Sequence, residues 1–150
     1  MIGQKTILTP LGDLTLSEAD GAIVSLDWGT GRDQSASPLL DEAARQLHAY
    51  FDGALTAFDL PLAPPVSAHG QKVLGAMQAI PYGETRTYGE IAADIGSSAR
   101  AVGGACGRNP IPIVIPCHRV LAANKGMGGY SGDGGTDTKA ILLRLEGAWT

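Results

Sequence analysis

Between Lys5 and Trp28 apolar and polar residues alternate in short runs. Leu14 and Leu16 stand on one arm, Ile23, Ser25 and Asp27 on the next, with turn residues at Pro10-Leu11-Gly12-Asp13 and at Asp20-Gly21. This pattern predicts an antiparallel sheet. Residues 29–37 are rich in Gly, Ser and Asp and read as loop. The period then changes. Over Leu39–Phe51 the apolar positions Leu40, Ala43, Ala44, Leu47, Tyr50 and Phe51 follow helical spacing, with Gly53 as the C-cap. Leu60-Pro-Leu-Ala-Pro-Pro is extended and breaks the chain, so a boundary near 61–66 divides it into residues 1–64 and 65–150.

Helical spacing returns over Ser67–Ile80, where Val73, Leu74, Met77 and Ile80 share a face that Pro81-Tyr82-Gly83 ends. Thr87-Tyr88-Gly89-Glu90 has the form of a capping box opening a helix through Ile95, which Gly96 stops. Ser97 or Ser98 can cap the next helix, Ala99–Cys106. Two short helices across a tight glycine turn predict a helix-turn-helix. Ile111–Ile115 is a β-branched run between prolines and reads as extended and buried. Ile141, Leu142 and Leu145 place a last packing helix over Lys139–Glu146. The fold class expected is α/β (α+β), with a small sheet-bearing first domain and a helical second one.

Composition narrows the function classes. The chain has 150 residues, of which 44% are hydrophobic. It begins without a basic stretch and apolar run, and has no stretch of about 18 apolar residues, so neither a signal peptide nor a membrane span is expected. Two cysteines without an export signal point to a reduced, cytoplasmic setting (nucleoid-associated in a bacterium). Cys106, Cys117, His48, His69 and His118 lack CxxC or HxxxH spacing, so no metal is expected. The net charge of −4 is unevenly spread. Residues 1–64 set Lys5, Arg32 and Arg45 against nine acids, a balance of −6, whereas 65–150 hold eight basic and six acidic residues, +2. A nucleic-acid partner would therefore meet the second part, with a modest phosphate contribution.

Two segments carry unusual chemistry. Ala99-Arg-Ala-Val-Gly-Gly-Ala-Cys places two glycines inside a helix, each costing about 1 kcal/mol relative to alanine. Small side chains admit a close approach, either to a neighbouring helix or to a DNA groove, and spacing alone leaves both readings open. In Pro116-Cys117-His118-Arg119, a thiol that must become thiolate to react adjoins an imidazole and a guanidinium. Glu146 at the end of the last helix can orient His118, completing a Cys-His-acid relay. A buried structural cysteine beside a solvent-facing histidine is the alternative.

The wider sequence resembles the O6-alkylguanine-DNA alkyltransferases, also called methylated-DNA–protein-cysteine methyltransferases. The resemblance is carried by Arg100-Ala-Val-Gly-Gly-Ala, Asn109-Pro-Ile-Pro-Ile-Val-Ile-Pro-Cys-His-Arg-Val120, Ile80-Pro-Tyr-Gly-Glu-Thr-Arg-Thr-Tyr-Gly-Glu-Ile-Ala, Gly129-Tyr-Ser-Gly and Leu142-Leu-Arg-Leu-Glu-Gly. It is close over residues 67–147 and looser before them, where Pro10-Leu-Gly and Tyr50-Phe-Asp-Gly are kept. It implies an N-terminal α/β domain like ribonuclease H and a C-terminal winged-helix-like domain for DNA binding and alkyl transfer. It implies a monomer that binds double-stranded DNA with an alkylated guanine through the minor groove, needs no cofactor, and acts once.

The roles implied are specific. Cys117 is the alkyl acceptor, His118 the base acting through a water, and Glu146 the group that holds His118. Tyr88 gives a proton to the departing guanine, and Asn109 is the hinge between recognition helix and active-site turn. Arg100 fills the gap left by the extruded nucleotide. Ala99, Ala101, Gly103, Gly104, Arg108 and Arg119 are further DNA-facing residues. Tyr130, Ser131, Gly132, Pro112 and Val120 line the pocket. Against the family pattern, the loop Gly132–Thr138 before Lys139 is about two residues longer and more acidic, Leu74 stands where a tryptophan is usual, and residues 29–38 are short.

The remaining candidates read as ordinary. Cys106 is a small filler, His48 and His69 are surface residues, Asp133 and Asp137 are solvated, Arg86 is a phosphate contact, and Trp28 and Trp149 are packing residues. The competing functions are a binding-only relative that marks alkylated DNA, a winged-helix regulator, and a small cysteine hydrolase. The cysteine argues against the first, and the absence of a four-cysteine N-terminal domain argues against an alkylation-sensing regulator.

Overall fold

The computed structural model describes residues 2–31, 34–35, 37–123 and 135–148. They form two compact units, Met1–Pro65 and Val66–Thr150.

The first unit is a three-stranded antiparallel meander, β1 (Ile2–Thr9), β2 (Gly12–Ala19) and β3 (Ala22–Trp28), with one helix, α1 (Pro38–Phe51). Asp20 and Gly21 both take positive φ, 51° and 82°, the backbone of a type I′ turn that matches strand twist. At the other hairpin Thr9 Oγ1 accepts from Leu11 N at 3.1 Å and donates to Gly12 O at 2.8 Å. Ser37 caps α1 by accepting from Leu40 N at 3.0 Å, and Pro38 takes the first turn, where its missing N–H costs nothing. The C-cap is Asp52, with Gly53 following at φ +77°. Leu40, Ala43, Ala44, Leu47 and Tyr50 bury one face of α1 on β1 and β2, against Leu14 and Leu16.

The proline-rich segment does more than break the chain. Ile23 N donates to Pro61 O at 2.8 Å and Ala63 N to Ile23 O at 2.9 Å, so it extends the sheet beside β3. The buried Gln46 amide bonds both the N–H and C=O of Asp59.

In the second unit, α2 (Ala68–Gln78) buries Val73, Leu74 and Met77. A two-residue strand β4 (Arg86–Thr87) runs parallel to β5 (Val120–Leu121). Thr87 then caps α3 (Tyr88–Ile95) with a complete capping box: Glu90 N reaches Thr87 Oγ1 at 3.1 Å and Thr87 N reaches Glu90 Oε1 at 2.9 Å. Gly96, at φ +69°, ends α3, and Ser98 caps α4 (Ala99–Gly107), giving the helix-turn-helix. The last helix is α5 (Gly135–Leu145), one turn longer at its start than the apolar pattern predicts.

One expectation is corrected. Ile111–Ile115 is buried but not a strand. It is a tight turn closed by a Pro112–Ile115 bridge, with Ile113 at φ +74° and 1% exposed. A β-branched residue in the left-handed region costs on the order of 1–3 kcal/mol and persists only where its surroundings enforce it. Asn109 supplies the enforcement: its Nδ2 donates to Ile115 O at 2.9 Å and its Oδ1 accepts from Ile111 N at 3.0 Å, both buried. Asn109→Ala should therefore cost about 2–4 kcal/mol, from two lost bonds and stranded polar groups. Urea unfolding monitored by circular dichroism checks this; a loss under about 0.5 kcal/mol, the ordinary surface range, would mean that the turn holds itself.

Candidate active site

The turn delivers the chain into a short 3-10 helix, Cys117–Arg119, all three residues buried. Cys117 N donates to Ile115 O at 2.8 Å, so the position of the sulfur is tied to the Asn109-braced turn. His118 is 0% exposed, and its Nε2 lies 2.7 Å from Glu146 Oε2. Glu146 is also bound twice by Arg119, Nε to Oε1 at 2.8 Å and Nη2 to Oε2 at 3.0 Å. With the carboxylate held ionised by this fork, Nε2 is best assigned as N–H donor, which leaves Nδ1 as the basic nitrogen. Nδ1 is buried and has no hydrogen-bond partner among the described residues.

Arg119 is therefore corrected from a DNA-facing residue to an internal one. It is 7% exposed, its third contact is Nη1 to Ile80 O at 2.6 Å, and its guanidinium lies 5.8 Å from the Tyr82 ring centroid. Tyr82 in turn donates to Leu145 O at 3.2 Å. The end of α2, the 3-10 helix and the end of α5 are bolted together around one carboxylate. A Cβ on Gly83 would stand 3.3 Å from Glu146 O, at φ +84°, which is why the Pro-Tyr-Gly turn needs its glycine.

The electrostatics describe a neutral resting pair. Burial pushes the Cys117 thiol up, opposed by contacts from Asn109, the Lys139 charge and a backbone N–H. Burial pushes His118 down, opposed by Glu146 and reinforced by Arg119 and Lys139. Cys106, in α4 with its Sγ 3.3 Å from Met77 Sδ, is pushed up to about 12, first by burial. Its placement is that of an apolar filler.

The other site residues divide by exposure. Tyr88, first residue of α3, is half-buried with its ring centroid 5.9 Å from Lys139 Nζ. Ala99 and Arg100 on α4 and Arg108 at its C-cap are exposed, while Ala101, Gly103 and Gly104 are half-exposed. A Cβ on Gly103 would meet nothing within 4 Å, and one on Gly104 only the flexible end of Arg108, at 3.3 Å. Among the described residues, then, helix packing does not account for these glycines. Pro112 and Val120 are buried. Arg86 pairs with Asp94, and half-buried His69 with Ser97 Oγ at 2.8 Å. Tyr130, Ser131, Gly132, Asp133 and Trp149 lie outside the described residues.

Sequence reasoning missed Lys139 as a site residue. It is 0% exposed and its Nζ donates to Val120 O at 2.6 Å. The signal was present: Lys139 stands three, four and seven residues before Leu142, Leu143 and Glu146, all on one buried helix face.

A buried thiol beside an imidazole–carboxylate pair, on a unit with a helix-turn-helix, defines the class: a cysteine-nucleophile site on a nucleic-acid-binding scaffold. Residues 68–148 match the DNA binding domain, and residues 4–64 the ribonuclease-like domain, of the 6-O-methylguanine DNA methyltransferases. The chain is 43% identical over 150 residues to a methylated-DNA–protein-cysteine methyltransferase of Methanosarcina acetivorans, covering 93% of this chain and 95% of the relative. Its identity to that of Mycolicibacterium paratuberculosis is 45% over 158 residues, covering 97% and 93%. Among solved structures it is similar to the Mycobacterium tuberculosis O6-methylguanine methyltransferase, with TM-score 0.86, 40% identity and coverage of 100% and 95%. It is also similar to M. tuberculosis OGT in complex with DNA, with TM-score 0.86, 42% identity and coverage of 97% and 93%. The chain belongs to the 6-O-methylguanine DNA methyltransferase family.

The site's ion pairs set two expected outcomes. Arg119→Met leaves the Glu146 carboxylate buried with one partner fewer and should cost about 3–5 kcal/mol, read by urea unfolding. Stability should also fall on acidification below about pH 6.5, because unfolded His118 binds a proton that the buried imidazole resists, so the unfolded state gains protons. His118→Gln should flatten that part of the Tm-against-pH curve; an unchanged curve would mean that other groups set it.

Proposed function

We propose that this protein repairs DNA by taking the alkyl group of O6-alkylguanine, and of O4-alkylthymine, onto Cys117 Sγ, one transfer per molecule. The observation that carries this reading is the buried His118 bound to Glu146 at 2.7 Å, beside a cysteine held on a rigid turn. Residues 1–64 form the N-terminal α/β domain, and 65–150 the DNA-binding and alkyl-transfer domain.

The target oxygen lies inside the base stack, so the nucleotide is extruded into the pocket. Exposed Arg100 on α4 enters the duplex in its place, and the small residues Ala99, Ala101, Gly103 and Gly104 let the helix approach a minor groove too narrow for bulkier side chains. Arg108 sits at the same surface. The thiol proton passes through a water to His118 Nδ1, whose developing charge Glu146 balances. The thiolate attacks the alkyl carbon in line, the bond to the base oxygen breaks, and Tyr88 protonates the leaving guanine. The product is a thioether, which water does not cleave. The alkyl group moves from DNA to protein, so the step balances without a cofactor. Tyr130, Ser131, Gly132, Pro112 and Val120 are assigned to the pocket. The protein acts as a cytoplasmic monomer; no helix among the described residues is long and apolar enough to cross a membrane.

Intact mass measurement after incubation with duplex DNA carrying O6-methylguanine should show a gain of one CH2, located on Cys117. Tight binding without that gain would sink the reading in favour of a binding-only protein. Gly103→Ala should leave folding intact, stabilising α4 by about 0.5–1 kcal/mol through helix propensity, while weakening duplex binding several-fold. Fluorescence anisotropy with a labelled duplex measures the second effect; unchanged affinity would move the DNA contact off this helix face.

A further inference from the structure

Glycine weakens a helix interior, so each one in α4 needs its own reason. Gly103 and Gly104 adjoin and are both half-exposed, yet their surroundings differ. A Cβ on Gly103 would meet nothing within 4 Å. One on Gly104 would stand 3.3 Å from Arg108 Nη1, 3.7 Å from Nη2 and 3.9 Å from Cζ. The guanidinium of Arg108 therefore lies over the bare backbone of Gly104, one turn back from its own Cα.

The backbone under Arg108 is fixed on both sides. Arg108 is the C-cap of α4, where its N–H donates to Ala105 O at 3.1 Å. The next residue is Asn109, whose amide braces the turn that leads to Cys117. From the C-cap the side chain runs back along the helix, the direction helical side chains take, and its cation meets the negative end of the helix dipole. A side chain larger than hydrogen at 104 would push the guanidinium off this surface.

Arg108 is exposed and makes no ion pair or side-chain hydrogen bond among the described residues. Arg86 and Arg119, by contrast, are taken by Asp94 and Glu146. Arg100 is exposed and unpaired among the described residues in the same way. Positions 100, 104 and 108 are spaced four apart and so share one face of α4. The folded-back guanidinium stands level with Gly104, about 6 Å along the axis from Arg100. That face thus presents two free cations, one at the start of the helix and one returned toward its middle.

We propose that Gly104 is a positioning residue for Arg108: its bare backbone seats the guanidinium on the DNA-facing side of α4, where it binds a phosphate of the duplex. The inference rests on the reading of α4 as the DNA contact. It gives the two glycines separate tasks. Gly103 leaves room for the groove, whereas the space at Gly104 is filled by the protein's own cation. Lying flat, the guanidinium adds charge with the thickness of one planar group, and it needs little ordering when the duplex arrives. Because Arg108 directly precedes Asn109, the phosphate it grips is set in register with the turn that carries Cys117.

A mutant cycle read by duplex binding tests this. Arg108→Ala empties the seat, and Gly104→Val fills it with methyl groups. Both sites are on the surface, and valine has a higher helix propensity than glycine, so the variants keep their fold. Either change alone should weaken binding of an O6-methylguanine duplex about fivefold and lower the slope of log K against log salt by about 0.9, the loss of one phosphate contact. The double variant should bind within about twofold of Arg108→Ala, because the valine occupies space that the guanidinium has left. Gly103→Val should weaken binding by the same factor in both backgrounds and keep the slope. A Gly104→Val loss as large without Arg108 as with it would make Gly104 a groove contact like Gly103 and overturn the proposal. An unchanged salt slope in Arg108→Ala would overturn it too. Gly103→Val separates this inference from the reading beneath it. If that variant binds weakly while the effects at 104 and 108 simply add, only the seat falls. If neither Gly103→Val nor Arg108→Ala changes the affinity, the duplex does not meet α4, and both fall.

Discussion

Glu146 is a carboxylate 5% exposed that accepts hydrogen bonds from His118 and, twice, from Arg119. An isolated ion there would cost several kcal/mol, so its charge exists only because Arg119 neutralises it and His118 uses its remaining capacity. The dependence runs both ways. Arg119 is satisfied by Glu146 and Ile80 O, and Tyr82 stacks beside it while bonding Leu145. Three segments far apart in sequence share one polar knot, and the orientation of the His118 ring comes out of it. Removing any one partner strands the others in an apolar surround, which is why the knot behaves as a unit.

The same unit also holds a second, strained constraint. Ile113 takes a left-handed backbone that its branched side chain resists, and its neighbours Ile111, Val114 and Ile115 are buried around it. Asn109 does for the turn what a strand partner does for a strand: it meets one N–H and one C=O with a single amide. Gln46 solves the same problem at Asp59 in the first unit. In both places one buried amide stands in for missing secondary structure, and its bonds are fixed enough to place the next stretch of chain. Beyond Asn109 that stretch carries Cys117.

Much of this was legible in the chain, for physical reasons that are local. Asp20-Gly21 demands two positive φ angles and takes them. Thr87 and Glu90 name each other as capping partners within one turn. Ser37 and Ser98 cap helices whose apolar faces come directly after them. The failures are as consistent. Ile111–Ile115 has strand composition, but it has no strand to pair with, and Asn109 offers a competing arrangement that propensity cannot register. Arg119 beside a catalytic-looking pair reads as an exposed cation until a partner 27 positions away is seen to absorb it. On α5 the apolar pattern named Ile141, Leu142 and Leu145, but Ile141 is 48% exposed and Lys139 is buried beside Leu142 and Leu143, because its ammonium reaches the Val120 carbonyl, which periodicity does not contain. Local chemistry was readable; of the pairings across the fold, that of His118 with Glu146 was foreseen and those of Arg119 and Lys139 were not.

The neutral state of the Cys117–His118 pair bears on how a single-use site is kept ready. A standing thiolate would react with any electrophile that reached it and waste the molecule. Burial instead holds the proton on sulfur and off the imidazole. Glu146 opposes that effect at His118 and Lys139 opposes it at Cys117, so the ion pair lies within reach but is not the ground state. The planar fork of Arg119 fits that carboxylate at two points and fixes the direction in which Glu146 meets His118.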